Sequence, residues 1–467
     1  MSHNGRRRGE HRTTTLESPL SATWTPRVRE RAVLVGVGRG IDESDLDELA
    51  ALADSAGAET VARVVQTRDD PDPATFVGKG KLSEIHDAVH RGRADVVILD
   101  RELSPGQLRN LEERLGTKVI DRTALILDIF ALHARSREGK AQVELAQLNY
   151  LLPRLRGWGE ALSRAGGGIG TRFGGGETKL EIDRQHIRRR ISKLRKDIKD
   201  LSRTRDVKRG RRERSGVPQI AIAGYTNAGK STLMRALTQA DVIVANQLFA
   251  TLDPTTRRIE LPNGRAATLS DTVGFVGKLP HDLVEAFRST LEEVARADLI
   301  LHVADASSRD VEEQIRAVRT VLDEIGAGEI PEVLALNKAD LAESGDLERV
   351  GSRFPSAVAI SALAGAGLDA LLDRIERDLP RPPVELRALI PYDREDLVAR
   401  LHRDADVLQT ERTDDGTIVH ARVSDRDAAE LESFVLSSRP RRASAGSARG
   451  RADKPTFPAV GPRSYDR

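Results

Sequence analysis

The sequence predicts an α/β protein assembled from units: a small parallel α/β region, a long helical hairpin, a larger α/β domain and a small α/β tail. Three observations predict this. Short apolar runs alternate with amphipathic helical patterns over residues 31–123 and again over 217–379, the order of a parallel sheet covered by helices. Between these regions, apolar residues recur at helical spacing along one long basic stretch. Residues 219–237 read as an apolar strand, a glycine loop and a helix.

At 467 residues the chain exceeds one small core, and about three domains is the natural expectation. It is 39% hydrophobic and 31% charged with a formal charge of +2, so the average field is weak and local excesses matter more. With no cysteine, disulfide frameworks and thiolate metal sites are excluded. The Arg-rich residues 1–12 have no apolar stretch and do not read as a secretory signal. No apolar run approaches the roughly 18 residues that cross a bilayer, so a soluble cytosolic protein with no membrane span is expected.

Residues 1–28 read as a disordered arm. In the α/β unit 29–123, strands are expected at 32–35, 60–65 and 95–99, with a helix over 42–56. A second helix announces its start: Ser104 as N-cap, Pro105 at the first helical position and Gln107 completing a capping box. Residues 124–214 read as a helical hairpin. Helical stretches at 124–134 and 141–152 lead into residues 157–176, which hold nine glycines and form an expected flexible tip. Beyond it, Leu180, Ile187, Ile191, Leu194, Ile198 and Leu201 form a heptad-like seam on a single helix. Residues 177–214 carry sixteen Lys or Arg against seven Asp or Glu, a local charge of +9. A solvated helix face explains most charge runs; this one-signed excess beside a glycine tip also suits a nucleic-acid backbone. After the domain at 215–380, residues 381–436 read as a small α/β domain. It has a strand at 386–390, a helix at 394–404, a hairpin turning at Asp414, Asp415 and Gly416, and a helix from Ser424. Residues 437–467 read as a disordered tail.

The chemistry is expected in 215–380. Gly224, Tyr225, Thr226, Asn227, Ala228, Gly229, Lys230 and Ser231 match G-x-x-x-x-G-K-[ST], with Thr232 continuing into the helix. Glycines let backbone N–H groups converge on phosphates, and the helix N-terminus favours negative charge there. Lys230 supplies a point charge to the β- and γ-phosphates, and the Ser231 hydroxyl reaches Mg²⁺. A glycine turn matching by accident is the bland alternative; the strand–loop–helix context argues against it. Guanine is specified by Asn337, Lys338, Ala339 and Asp340. A carboxylate at Asp340 accepts both the N1–H and the exocyclic amine of guanine, which adenine cannot present. Ser361, Ala362 and Leu363, after the next strand, supply backbone contacts to the base.

Two switches lie between these loops. Asp271, Thr272, Val273 and Gly274 follow a strand; Asp271 holds Mg²⁺ through water and the Gly274 N–H meets the γ-phosphate. Upstream, in Phe249, Ala250, Thr251, Leu252 and Asp253, Thr251 completes the Mg²⁺ shell, with Thr255 and Thr256 as rivals. Lys230, Thr251 and Gly274 are the expected catalytic groups, and both loops order on the γ-phosphate. Ras-like switches place a water-orienting glutamine after that glycine. Here the residue is Phe275, so GTP hydrolysis alone is expected to be slow. Two other patterns are weaker. Gly36, Gly38 and Gly40 have the wrong spacing for a dinucleotide loop, and the basic run Phe76 to Lys81 reads at least as well as a surface turn.

The chain also resembles the HflX family of ribosome-associated GTPases, of the TRAFAC class. The resemblance rests on Asp121-Arg-Thr123, the run from Glu138 to Leu148, Leu162-Ser-Arg164, Gly166-Gly-Gly-Ile-Gly170 and Gly176-Glu-Thr178. It rests equally on the run from Phe249 to Thr256 and on Asp271 to Phe275, and spans roughly residues 31–434. It implies a P-loop GTPase domain preceded by a small parallel α/β unit with a long helical hairpin and followed by a small α/β C-terminal domain. It further implies GTP/GDP and Mg²⁺ as ligands, ATP binding by the N-terminal domain, and GTP-dependent binding to the large ribosomal subunit and its rRNA. The glycine tip would reach toward the peptidyl-transferase region, and stalled or stress-inactivated ribosomes would be split. Alternatives are a large-subunit assembly or quality-control GTPase, an RNA helicase-like ATPase acting through the N-terminal domain, and a signalling G protein with a protein or membrane partner. A monomer is the default expectation.

Overall fold

The computed structural model describes residues 29–155, 175–213, 217–238, 248–249, 255–272, 274–276, 291 and 293–440. The chain divides into two compact units, the larger ending at Leu379 and the smaller resuming at Pro380.

The first sheet is built from β1 (Glu30–Gly38), β2 (Ala58–Thr67), β3 (Val96–Leu99) and β4 (Lys118–Asp121), in the order β2-β1-β3-β4. Every pairing is parallel. Parallel strands need helices on both faces, and the sequence of β1 serves both. Ala32 and Leu34 face helices α1 (Asp47–Ser55) and α4 (Arg122–His133), packing with Leu49, Leu52, Ile126 and Phe130. Val33, Val35 and Val37 face α2 (Lys79–Gly92) and α3 (Pro105–Leu115), packing with Ile85, Val89, Leu111 and Leu115. Leu34 is fully buried, so Leu34→Ala would cost about 2–5 kcal/mol. The capping box of α3 forms: the Gln107 N–H donates to Ser104 Oγ at 3.2 Å, and the Ser104 N–H to Gln107 Oε1 at 3.0 Å.

Several elements differ from the sequence reading. Residues 42–56 are not one helix: a 3-10 turn (Glu43–Leu46) precedes α1, because Asp42 caps that turn with its own side chain. The run from Phe76 to Lys81 is not a surface turn either. Phe76 is buried at a left-handed φ of 63°, and Gly78 is the N-cap of α2. Gly78 donates its N–H to Gln66 Oε1 at 3.0 Å. Gly36 does not open a ligand loop; a Cβ there would meet Ile41 and Leu46 at 2.8 and 2.9 Å, so the glycine seats their side chains against β1.

The hairpin consists of α5 (Arg137–Arg154) and the 39-residue α6 (Gly175–Glu213). Ile191 and Leu194 are buried, while Ile187, Ile198 and Leu201 are half-buried on the same seam. Arg190 clasps the two helices, its Nε and Nη2 each donating to Glu144 at 2.6 Å. At the C-terminal end of α5, Arg154 stacks on the Tyr150 ring at 3.5 Å and donates to the Leu103 carbonyl at 2.8 Å. The glycine-rich tip expected at 157–176 lies outside the described residues up to 174, as do the arm 1–28 and the tail beyond 440.

The larger sheet has the order β10-β9-β8-β5-β7-β6. Its strands are β5 (Gln219–Gly224), β6 (Thr255–Glu260), β7 (Ala266–Asp271), β8 (Leu299–Asp305), β9 (Glu332–Asn337) and β10 (Val358–Ala359). Only β6 is antiparallel to its neighbour. The described helices α7 (Lys230–Thr238), α8 (Val311–Glu324), α9 (Ser344–Arg353) and α10 (Leu368–Asp378) cover it.

The smaller unit contains an antiparallel sheet, β12-β13-β11-β14, of β11 (Val384–Ile390), β12 (Asp406–Thr413), β13 (Gly416–Val423) and β14 (Val435–Pro440). Helices α11 (Glu395–Asp404) and α12 (Asp425–Glu430) complete it. The expected hairpin is present, with Thr413 opposite Gly416. Residues 437–440, expected to be disordered, instead pair with β11 as an edge strand. Ser-Ser-Arg-Pro has no apolar alternation to reveal it, and an edge position tolerates such polarity.

Candidate nucleotide site

The phosphate loop runs from the carboxyl end of β5 to the N-terminus of α7, in the crevice where open α/β sheets take their ligands. Two glycines make it possible. Gly224 lies at φ +154°, and a Cβ there would fall on the Val303 carbonyl of the neighbouring strand. Gly229 lies at φ +91°, and a Cβ there would fall on Asn337 Nδ2. That carboxamide therefore sits directly against the loop, donating to the Ala228 carbonyl at 2.8 Å and accepting the Ala362 N–H at 2.9 Å. One buried side chain thus joins the phosphate loop, the Asn337–Asp340 turn and the Ser361 loop, which are far apart in sequence. The Ala339 N–H adds a bond to the Ile360 carbonyl at 3.0 Å. Lys338 is at φ +61° and pairs with Asp305 at 2.6 Å, a partner that the sequence reading missed. An acid closing an apolar strand (Leu299–Asp305) was the available signal. Asp340 is exposed and Leu363 is 79% exposed, so both remain accessible beside the turn.

Lys230 is buried, and its Nζ donates to the Gly224 carbonyl at 3.0 Å and to the Tyr225 carbonyl at 2.8 Å. Burial pushes its ammonium down to about 8, with the Asp271 charge opposing the shift. Ser231 Oγ donates to Asp271 Oδ2 at 2.9 Å, bringing a hydroxyl and a buried carboxylate together. That pair fits a hard cation of Mg²⁺ type, which takes oxygen ligands and retains waters. Thr272 turns inward, its hydroxyl donating to the Ile222 carbonyl at 2.6 Å. Gly274 approaches the loop so closely that a Cβ would meet Thr226 Cγ2 at 2.8 Å and Lys230 Nζ at 3.0 Å. Phe275 then pairs with the loop backbone: its carbonyl accepts the Thr226 N–H at 2.6 Å and its N–H donates to the Gly224 carbonyl at 3.1 Å. Its ring is 2% exposed, packed in the core with Leu291, Val294 and Val318.

Of the upstream switch, Ala250, Thr251, Leu252 and Asp253 lie outside the described residues, as does Val273. Phe249 departs from its expected place. It stands at φ +57° with its ring 4.6 Å from that of Phe130, inside the N-terminal core, together with Leu248 and Val276. A fully apolar ring gains more from that burial than from a phosphate site.

A phosphate loop at a strand end, a buried lysine at its apex, a hydroxyl–carboxylate pair and an N-K-x-D turn braced onto the loop together define a P-loop GTPase. Family models match the chain almost end to end. They are described as GTP-binding GTPase N-terminal (residues 43–131), GTP-binding GTPase middle region (133–212), 50S ribosome-binding GTPase (219–338) and HflX C-terminal domain (347–444). The GTPase HflX of Caldanaerobacter subterraneus is 49% identical over 412 residues, covering 88% of this chain and 95% of that protein. That of Lacrimispora saccharolytica is 47% identical (86% and 96% covered), and that of Escherichia coli is 44% identical (83% and 92%). Among solved structures, a GTP-binding protein from Sulfolobus solfataricus in complex with GDP is 27% identical. That likeness covers 74% of this chain and 98% of that one, with a TM-score of 0.41. The chain belongs to the HflX family of GTPases and is a GTP-hydrolysing enzyme.

Proposed function

We propose that this enzyme is a GTP-driven factor of the large ribosomal subunit that dissociates stalled or stress-inactivated ribosomes in the cytoplasm. The observation that carries the reading is α6: a 39-residue helix that packs along α5 and whose sequence carries a strong excess of basic residues. A long basic helix that follows a glycine-rich stretch of sequence suits the phosphate backbone of folded rRNA. The match to a 50S ribosome-binding GTPase model over the nucleotide domain supports the same partner. A monomer is sufficient for it.

In the GTP-bound state, loop N–H groups and Lys230 would hold the β- and γ-phosphates, the Gly274 N–H would meet the γ-phosphate, and Asp340 would read guanine. Ser231, Thr251 and, through water, Asp271 would hold Mg²⁺, which supplies charge neutralisation to the phosphates. With Phe275 buried in the core, no side chain at that position orients water, so hydrolysis is slow until the ribosome orders the switches. A large-subunit assembly role would use the same hairpin and differ only in the particle bound.

GTP turnover measured alone, with large subunits, with small subunits and with total RNA tests this. Stimulation by large subunits alone is expected, followed by subunit separation of intact ribosomes in sucrose gradients. Fast turnover without ribosomes would sink the reading, and stimulation without splitting would favour assembly. Replacing exposed Arg189, Lys193 and Arg195 by Glu, while leaving the Arg190 clasp intact, should abolish co-sedimentation with large subunits.

A further inference from the structure

The N-terminal sheet has its own switch point. In the order β2-β1-β3-β4 the chain leaves β1 toward β2 on one side and returns to β3 on the other, so a crevice opens beyond the carboxyl ends of β1 and β3. In such folds that crevice holds a ligand. Here it holds side chains. Arg122, from the β4–α4 junction, is 4% exposed and donates to Asp100 at 2.7 Å, at the end of β3, and to Glu48 at 2.8 Å, in the first turn of α1. Two carboxylates face this guanidinium, and Glu48 also accepts a proton donor from outside the N-terminal sheet. That donor is Tyr225 of the phosphate loop, whose hydroxyl donates to Glu48 Oε1 at 2.9 Å across 177 residues of sequence.

The other end of α1 makes a second contact of the same kind. Ser55 Oγ, held by its own bond to the Ala51 carbonyl at 2.8 Å, accepts the Leu248 N–H at 2.9 Å. Leu248 and Phe249 are buried in the core beneath α1, and they lead directly into the switch that contains Thr251. One nine-residue helix therefore contacts the phosphate loop at its start and Leu248, just ahead of the switch in sequence, at its end.

We propose that the N-terminal switch-point crevice is a binding site for the phosphate loop, and that Glu48 is a positioning residue for GTP, acting through Tyr225. The Tyr225 carbonyl is also a partner of Lys230 Nζ, so anchoring the tyrosine at both ends of the residue sets the lysine and the loop N–H groups at once. The inference rests on the nucleotide site and not on the ribosomal reading.

The test uses the full chain and stopped-flow release of fluorescent GDP from wild type, Tyr225→Phe, Glu48→Ala and the double variant. A lost bond to a carboxylate should speed GDP release about tenfold in each single variant, with the double no faster than either. Hydrogen exchange of α1 with and without a non-hydrolysable GTP analogue provides the reciprocal readout, because coupling between two sites runs both ways. Wild-type α1 should gain protection on nucleotide binding, and Tyr225→Phe should lose that gain. Unchanged GDP release in both single variants, effects that multiply in the double variant, or nucleotide-dependent protection that survives Tyr225→Phe would each overturn the proposal. Should one variant fold poorly, the other alone decides by the same release rate.

Discussion

The protein contains two open sheets, one fully parallel and one parallel except for its edge strand β6, with the same kind of crevice at the carboxyl ends of their strands, and only one of them is shaped for a nucleotide. In the larger sheet the loop after β5 is held open. Gly224 and Gly229 stand at positive φ, the Asn337 carboxamide supports the loop from below, and Lys230 points its ammonium at carbonyls that a phosphate would outcompete. In the N-terminal sheet Gly36, near the end of β1, is packed under Ile41 and Leu46, and the crevice is filled by Arg122, Asp100 and Glu48. Architecture supplies the location of a site; the side chains decide whether it is empty for a ligand or closed by protein. The ATP site that the family resemblance implies for the N-terminal domain thus finds no support in this glycine turn.

The comparison can be broken most severely at the two lysines. Lys230→Ala should lower GTP turnover at least a hundredfold, the scale expected on removing a charge from a phosphoryl-transfer site, whereas Lys81→Ala at the start of α2 should leave it within about twofold. Phosphate release assays read both, and a large loss with Lys81→Ala would reopen the N-terminal site. Next in size is the base. Asp340→Asn should weaken GTP binding about tenfold to a hundredfold by removing an acceptor for two guanine donors, measured by calorimetry against GTP and ATP. Equal GTP affinity in the variant would refute the guanine assignment.

The glycines sharpen the contrast further. Gly229→Ala forces a Cβ onto Asn337 at a left-handed φ and should cost about 2 kcal/mol of stability together with GTP affinity. Gly36→Ala meets only the apolar side chains of Ile41 and Leu46, so it should cost about 1–3 kcal/mol in a melting experiment without changing the KM for GTP. The smallest effect is pH. Burial holds Lys230 down at about 8 without nucleotide, and phosphate oxygens must raise that value. A group whose pKa rises on binding favours binding in its protonated form. GTP affinity should therefore be full below pH 8 and weaken, by up to about tenfold per unit, as the pH climbs toward the ordinary lysine value of 10.5. A flat profile from pH 7 to 9.5 would mean that Lys230 is not desolvated as its burial implies.

Legibility in sequence followed the distance over which each feature is specified. The phosphate loop, the capping box of Ser104 and Gln107 and the hairpin closed at Gly416 were all readable, because each depends on residues within one turn of one another. Short or atypical elements were not. Four-residue β4 gave no periodicity to detect, α2 begins with a Gly-Lys-Gly run that reads as a loop, and β14 is a polar edge strand. Phe249 was assigned to the switch from its neighbours in sequence, but its ring answers to Phe130, 119 positions away.

What the sequence determined by itself is a set of local patterns: a phosphate-loop match, an N-K-x-D turn, a hydroxyl and carboxylate suited to Mg²⁺, and Phe275 where Ras-like switches have a water-orienting glutamine. Those patterns need particular residue types at fixed local spacing, and local spacing is written directly in the chain. What only the tertiary structure decided is which of those groups hold one another. The Asn337 bond to Ala228 spans 109 residues, and the Tyr225–Glu48 bond joins the phosphate loop to helix α1 of the N-terminal region. Such contacts arise because close-packed cores bring distant polar groups together, and once buried each group must find a partner. No local pattern in the sequence could have named those partners in advance.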